Sequence, residues 1–127
     1  MSAHSVQTRW EDLDALGHIG HTAVLVLLEQ GRDAFLAAHG IKPDQYVVGR
    51  CFVSFEREID ASQKEVTVEC DVNELGTSSM KTSERILAPD GGVAVTAEFG
   101  LVLWNAETRD ARPITDAERA SLEEVHS

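Results

Sequence analysis

The stretch from Thr22 to His39 constrains the fold more than any other part of the chain. Val24, Leu28, Gly31 and Phe35 recur at helical spacing and mark one face. Leu25, Leu27 and Leu36 widen that face until only Glu29, Gln30, Arg32 and Asp33 read as polar. A helix this apolar has to be covered on most sides by the rest of its domain. Gly40 is placed as its C-terminal cap and Pro43 closes the exit.

After Pro43 the period changes from helical to two. Tyr46 to Ile59 reads as one long strand, bent near Gly49. Lys64 to Leu75 alternates cleanly, with Val66, Val68, Cys70 and Val72 directed inward. Ser78 to Leu87 is a further strand, and Pro89-Asp90-Gly91-Gly92 has the chemistry of a hairpin turn. Val93 to Trp104 follows, with Val93, Val95, Ala97, Phe99, Leu101 and Leu103 on one face. Before the helix, Ser5 to Trp10 is a short β-prone run. At the far end, Thr115 and Glu118 form a capping box that opens a short acidic helix. One strand, one buried helix and three or four consecutive antiparallel strands make an α+β layout. One sheet cannot cover every side of such a helix, and a second copy of the chain is the expected cover.

At 127 residues the chain fits a single domain spanning 1–127. The excess of 22 Asp and Glu over 11 Lys and Arg gives a net charge of −11, which disfavours nucleic acid and anionic membranes as partners. Cys51 and Cys70 form no disulfide framework and are expected as two buried free thiols. The polar N-terminus and the shortness of the longest apolar run, Ala23 to Leu28, give the expectation of a cytoplasmic protein with no membrane span.

The segment from Glu11 to His21 is rich in turn formers, acids and histidines, and reads as an ordered loop. Asp14 lies within it, and His21 stands where the helix begins. A helix start offers unpaired backbone N–H groups and a partial positive charge, which can stabilise an oxyanion forming on a carbonyl. A nearby carboxylate can attack that carbonyl or activate a water. Asp14 and the His21 amide therefore fit an acyl-transfer site. The same residues also fit an Asx turn at Asp14 and a plain surface position at His21. His18 and His21 lack further ligands at metal-binding spacing, so no metal is expected, and no Gly-x-Ser-x-Gly elbow is present.

The run Arg9-Trp10-Glu11-Asp12-Leu13-Asp14-Ala15-Leu16-Gly17-His18-Ile19, followed by Leu25-Val26-Leu27-Leu28-Glu29-Gln30-Gly31-Arg32, resembles the signature of the hotdog-fold acyl-CoA thioesterases. Within these it looks most like the 4-hydroxybenzoyl-CoA thioesterase branch and its Tol-Pal-associated relatives. The resemblance implies a hotdog fold, a long central helix wrapped by a curved antiparallel sheet. It implies hydrolysis of an acyl-CoA thioester without a cofactor, in a dimer or tetramer with sites between subunits. It places Asp14 on the catalytic carboxylate and His21 on the helix-start position whose N–H polarises the thioester, and whose side chain is also catalytic in the Tol-Pal-associated members. Trp10 falls where those members have Tyr. Gly17, His18 and Ser79 are carried over as substrate-binding candidates, while Glu29 and Arg32 match positions read as structural.

The chain also departs from that pattern. Thr22, Ala23 and Val24 stand where many members have Asn and an aromatic residue. The turn Gly76-Thr77-Ser78-Ser79 lacks the basic residues with which some members meet coenzyme A phosphates, and only Lys81 and Arg85 follow. An acyl-carrier-protein substrate therefore stays open. So does a catalytically silent hotdog that binds an acyl group or a protein partner. A hotdog hydratase ranks lower, because its Asp and His stand five residues apart, whereas Asp14 precedes His18 by four and His21 by seven.

Overall fold

The computed structural model describes residues 2–9, 13–15, 17–60 and 63–126. In chain order it contains β1 (Ser2–Gln7), α1 (His21–Ala37), β2 (Tyr46–Phe55), β3 (Glu65–Leu75), β4 (Ser79–Leu87), β5 (Val93–Asn105), β6 (Asp110–Ala111) and α2 (Asp116–His126). The main sheet runs β1-β3-β4-β5-β2, with every neighbouring pair antiparallel, and β6 pairs with the end of β5. Helix α1 lies against β1, β3 and β4. This is the α+β hotdog arrangement expected from the sequence.

The inward positions follow the two periods. Val24, Leu27, Leu28, Phe35 and Leu36 from α1 meet Val66, Val68, Cys70 and Val72 from β3, and Val95, Phe99, Leu101 and Leu103 from β5, in one core. Burial of each large apolar side chain is worth about 1.5–3 kcal/mol. Helix and sheet approach closely at Gly31, where a Cβ would come within 2.3 Å of Val68 Cγ1. Glycine is therefore what lets α1 sit down on β3. Gly40, at φ +82°, takes the left-handed conformation that follows the helix, and the Ile41 N–H donates to the Leu36 carbonyl at 2.9 Å.

Three expectations need correction. The first strand is Ser2–Gln7, not a run beginning at Ser5. Its extent is set by β3, because Ser2 stands opposite Cys70 and Gln7 opposite Glu65, and that pairing asks nothing of apolar alternation. Trp10, Glu11 and Asp12 lie outside the described residues. The long strand from Tyr46 ends at Phe55, and its bend at Gly49 is a register shift against β5 between Val48 and Arg50. Cys51 is exposed while Cys70 is buried, because β2 is an edge strand extending beyond the cover of α1.

Arg32, read as polar, is buried in the core. Its guanidinium makes two hydrogen bonds to Glu84, Nε to Oε2 at 2.9 Å and Nη2 to Oε1 at 3.1 Å, and lies 3.8 Å from the centre of the Phe99 ring. Thr82 Oγ1 donates to Glu84 Oε2 at 2.6 Å. Burial alone would push the Arg32 guanidinium down, but the hydrogen bonds and charge of Glu84 hold it above its ordinary range. Beside it, Tyr46 Oη donates to Asp33 Oδ1 at 2.6 Å, which ties the start of β2 to α1.

The capping box of α2 is present in both directions. Glu118 N–H donates to Thr115 Oγ1 at 3.1 Å, and Thr115 N–H donates to Glu118 Oε1 at 3.0 Å. Among the described residues, no helix is long and apolar enough to cross a membrane.

Candidate active site

The loop between β1 and α1 folds back on itself around Asp14. Its backbone N–H donates to the His18 carbonyl at 2.7 Å, and its carbonyl accepts the Gly17 N–H at 3.1 Å. The His18 N–H in turn donates to Asp14 Oδ1 at 3.1 Å. Gly17 closes the turn at φ +77°, a conformation that a side chain resists. The loop is pinned to the segment after β2, because the Ile19 N–H donates to the Ile59 carbonyl at 2.7 Å and His18 bridges Asp60. Ile19 and Ile59 are both buried, so an apolar anchor holds the polar residues at the surface.

Asp14 and His18 open onto one cavity of about 250 Å³, whose walls include Phe55, Arg57, Glu58 and Val95. His18 Nε2 stands 2.6 Å from Glu58 Oε2. Arg57 Nη2 is tied to Asp90 Oδ1 at 2.8 Å across the β4–β5 hairpin. The Gly92 N–H and the Arg57 guanidinium hold the Asp90 carboxyl below its usual range. The cavity also reaches Val24 in the first turn of α1. A larger cleft of about 500 Å³ shares Leu13 and Ile19 with this loop but holds neither Asp14 nor His18, and acid–base chemistry therefore points to the smaller one.

His21 is the first residue of α1 and its side chain is exposed. The residue before it is Gly20, which has no side chain with which to cap. The first backbone bond of the helix is made by the Val24 N–H to the Gly20 carbonyl at 3.0 Å. Among the described residues no partner takes the N–H groups of His21, Thr22 and Ala23, and no acidic residue occupies the first turn. That leaves a donor-rich, partly positive helix start close to Asp14 in sequence.

The five site candidates do not all meet within one chain. Asp14 and His18 share the cavity, Gly17 shapes the loop, and His21 sits at the neighbouring helix start. Ser79 begins β4, at the end of the sheet far from Val95 and Phe55, because β4 runs antiparallel to β5 from Val102 back to Val93. The turn before it is held through its backbone carbonyls. The carbonyls of Gly76, Thr77, Ser78 and Ser79 accept from Arg119 Nη2 and from the N–H groups of Ile114, Leu103 and Gly76. Lys81 pairs with Glu74 at 3.2 Å and Arg85 with Glu69, so both cations are already matched.

Sequence reasoning missed Phe55, Arg57 and Glu58 as cavity residues. The alternation of the long strand candidate was the available signal, but it could not show that the segment turns toward the loop after Phe55.

The sequence profile described as the Thioesterase-like superfamily matches residues 8–122. No curated protein matches the chain. Among solved structures, it is similar to a thioesterase from Thermus thermophilus in complex with coenzyme A and zinc. The two are 27% identical with a TM-score of 0.85, covering 98% of this chain and 92% of that one. A predicted thioesterase from Bacillus stearothermophilus is also 27% identical, with a TM-score of 0.85, covering 97% of this chain and 94% of that one. A DHNA-CoA thioesterase from Staphylococcus aureus shares the fold at 16% identity, with a TM-score of 0.84 and coverage of 98% and 89%. With nearly its whole length matched by the family profile, the chain belongs to the thioesterase-like superfamily.

Proposed function

We propose that this protein hydrolyses an acyl-CoA thioester to a free acid and a thiol, with Asp14 as base or nucleophile and the His21 N–H as oxyanion donor. The observation that carries the reading is the Asp14 loop. It presents a hydrogen-bonded carboxylate to a cavity that Val24, in the first turn of α1, also lines, next to the uncapped helix start. The similarity to a structure that holds coenzyme A supports the choice of thiol. The 4-hydroxybenzoyl-CoA and Tol-Pal-associated branch is our finer placement, resting on the Asp14-to-His18 motif and Leu28-Glu29-Gln30-Gly31-Arg32. The location we assign is the cytoplasm, in keeping with two free cysteines.

The same reading includes a homodimer, or two such dimers paired as a tetramer. Strand β2 is an edge with unpaired backbone groups. Val48 (45%) and Phe55 (54%) on this strand, and Leu25 (40%) and Val26 (38%) on α1, are large apolar side chains left uncovered. Antiparallel pairing of β2 with its own copy would lay the start of one β2 along the end of the other. That brings the partner's Ser79 toward the Asp14 cavity and gives the candidate a place in a shared site. Val48→Lys should then shift the protein to monomer in sedimentation, with activity falling alongside. A wild-type protein that sediments as a monomer at micromolar concentration refutes the dimer.

A screen of acyl-CoA esters of varied chain length and aromaticity tests the activity, and absence of hydrolysis across the panel refutes it. Within that screen, His21→Ala should retain a substantial share of kcat/KM, because the substitution leaves the backbone donor in place. If His21→Ala is as inactive as a variant lacking the Asp14 carboxylate, with unchanged melting, the imidazole itself takes part.

A further inference from the structure

Glu58 has no task in the mechanism above, yet it holds a histidine beside the reacting centre. We propose that His18, oriented by Glu58, is the acid that protonates the departing thiolate. His18 is then a catalytic residue and Glu58 its positioning residue. The inference rests on the thioester-hydrolase reading.

The geometry supplies three reasons. His18 Nε2 lies 2.6 Å from Glu58 Oε2, and both side chains line the cavity that contains Asp14. The His18 backbone is fixed by its two hydrogen bonds with Asp14 and by its bridge to Asp60, so the ring is carried on a constrained loop. The pair is 35% and 57% exposed, and ion pairs in such a setting contribute little to stability, so bracing alone is a weak reason for it. With Nε2 engaged by the carboxylate, Nδ1 is the nitrogen left for substrate. One cavity then offers a base for attack and an acid for departure.

For the water route the step balances as follows. Asp14 accepts a proton from water as the water oxygen bonds to the carbonyl carbon, and the carbonyl pair moves onto oxygen. On collapse the C–S bond breaks and its electron pair stays on sulfur. The protonated His18 gives its Nδ1 proton to that sulfur. The proton held by Asp14 then returns through solvent to His18, leaving one acid and one thiol for each thioester and water consumed.

Two thioesters of the acyl group cleaved best in the screen above test this, one of coenzyme A, an alkyl thiol, and one of thiophenol, whose thiolate leaves without help. His18→Gln should lose at least about tenfold in kcat/KM on the alkyl thioester and less than about threefold on the phenyl thioester, the contrast expected of a general acid. Glu58→Gln should show the same ordering with a smaller amplitude, and it carries the test if His18→Gln does not fold. Equal losses on both thioesters, or no loss on either, overturn the inference. A wild-type protein that cleaves neither thioester overturns the hydrolase reading itself. If the wild type cleaves both and the variants show no contrast, only the inference about His18 and Glu58 fails.

Discussion

Asp14→Asn is expected to lower kcat/KM by about 10²-fold or more while leaving the fold intact, the scale lost when a positioned base is removed. The substitution keeps the size of the side chain and keeps an oxygen that can accept the His18 N–H, so the loop closure at 3.1 Å can survive. What it removes is the negative charge, and with it the capacity to take a proton or attack a carbonyl. Asp14 is exposed on a loop anchored by buried Ile19 and Ile59, and substitutions at such a surface position seldom cost much stability. The measurement is steady-state hydrolysis of the best acyl-CoA ester alongside thermal melting. Near-wild-type turnover by a folded Asp14→Asn protein would remove Asp14 from the mechanism.

The second large effect is on stability. Arg32→Met is expected to destabilise the protein by about 3–5 kcal/mol, because it strands the Glu84 carboxylate in the core without a partner. A loss of that size is a large part of the stability of an ordinary domain, so the single variant should melt far lower or fail to accumulate. Most of the penalty belongs to the orphaned charge. The double variant Arg32→Met with Glu84→Gln should therefore recover a good part of it, since the amide oxygen can still accept from Thr82 Oγ1. Denaturant unfolding of the wild type, of Arg32→Met and Glu84→Gln singly, and of the double variant measures this. If the double variant is as unstable as the sum of its single changes, the charge argument fails and packing over Phe99 dominates.

These two positions show what the sequence could and could not convey. Helix α1 and strands β3, β4 and β5 were readable because their periods are long and regular, and their ends moved by only a residue or two. Arg32 was read as polar and as structural, but its burial was not legible, because a helical period groups residues by type and does not show which polar one is covered. Its partner Glu84 is on a strand 52 positions away, and nothing local announces a buried ion pair. The Asp14 loop was legible through its turn formers and its motif, while Glu58 was not. Its relation to His18 exists only because the chain after β2 returns to bridge the loop at Asp60. Leu25 was assigned to the covered face, yet it is one of the larger apolar groups left uncovered. A period fixes which residues share a face of α1 but not how much of that face one sheet can cover.

Helices α1 and α2 begin in opposite ways. Helix α2 opens with Thr115 and Glu118 capping each other, and with Asp116 and Glu118 in its first turn. Helix α1 opens on Gly20, with neither a capping side chain nor an acid, in a chain that carries 22 acidic residues. Acids in a first turn commonly add about 0.3–1 kcal/mol each, and α1 forgoes them. If those N–H groups receive the oxyanion as proposed above, the oxygens of such acids would compete for them. Thermal robustness and turnover would then draw on one small set of donors. A lineage selected for heat resistance would have to gain it elsewhere in the molecule, or accept a slower enzyme.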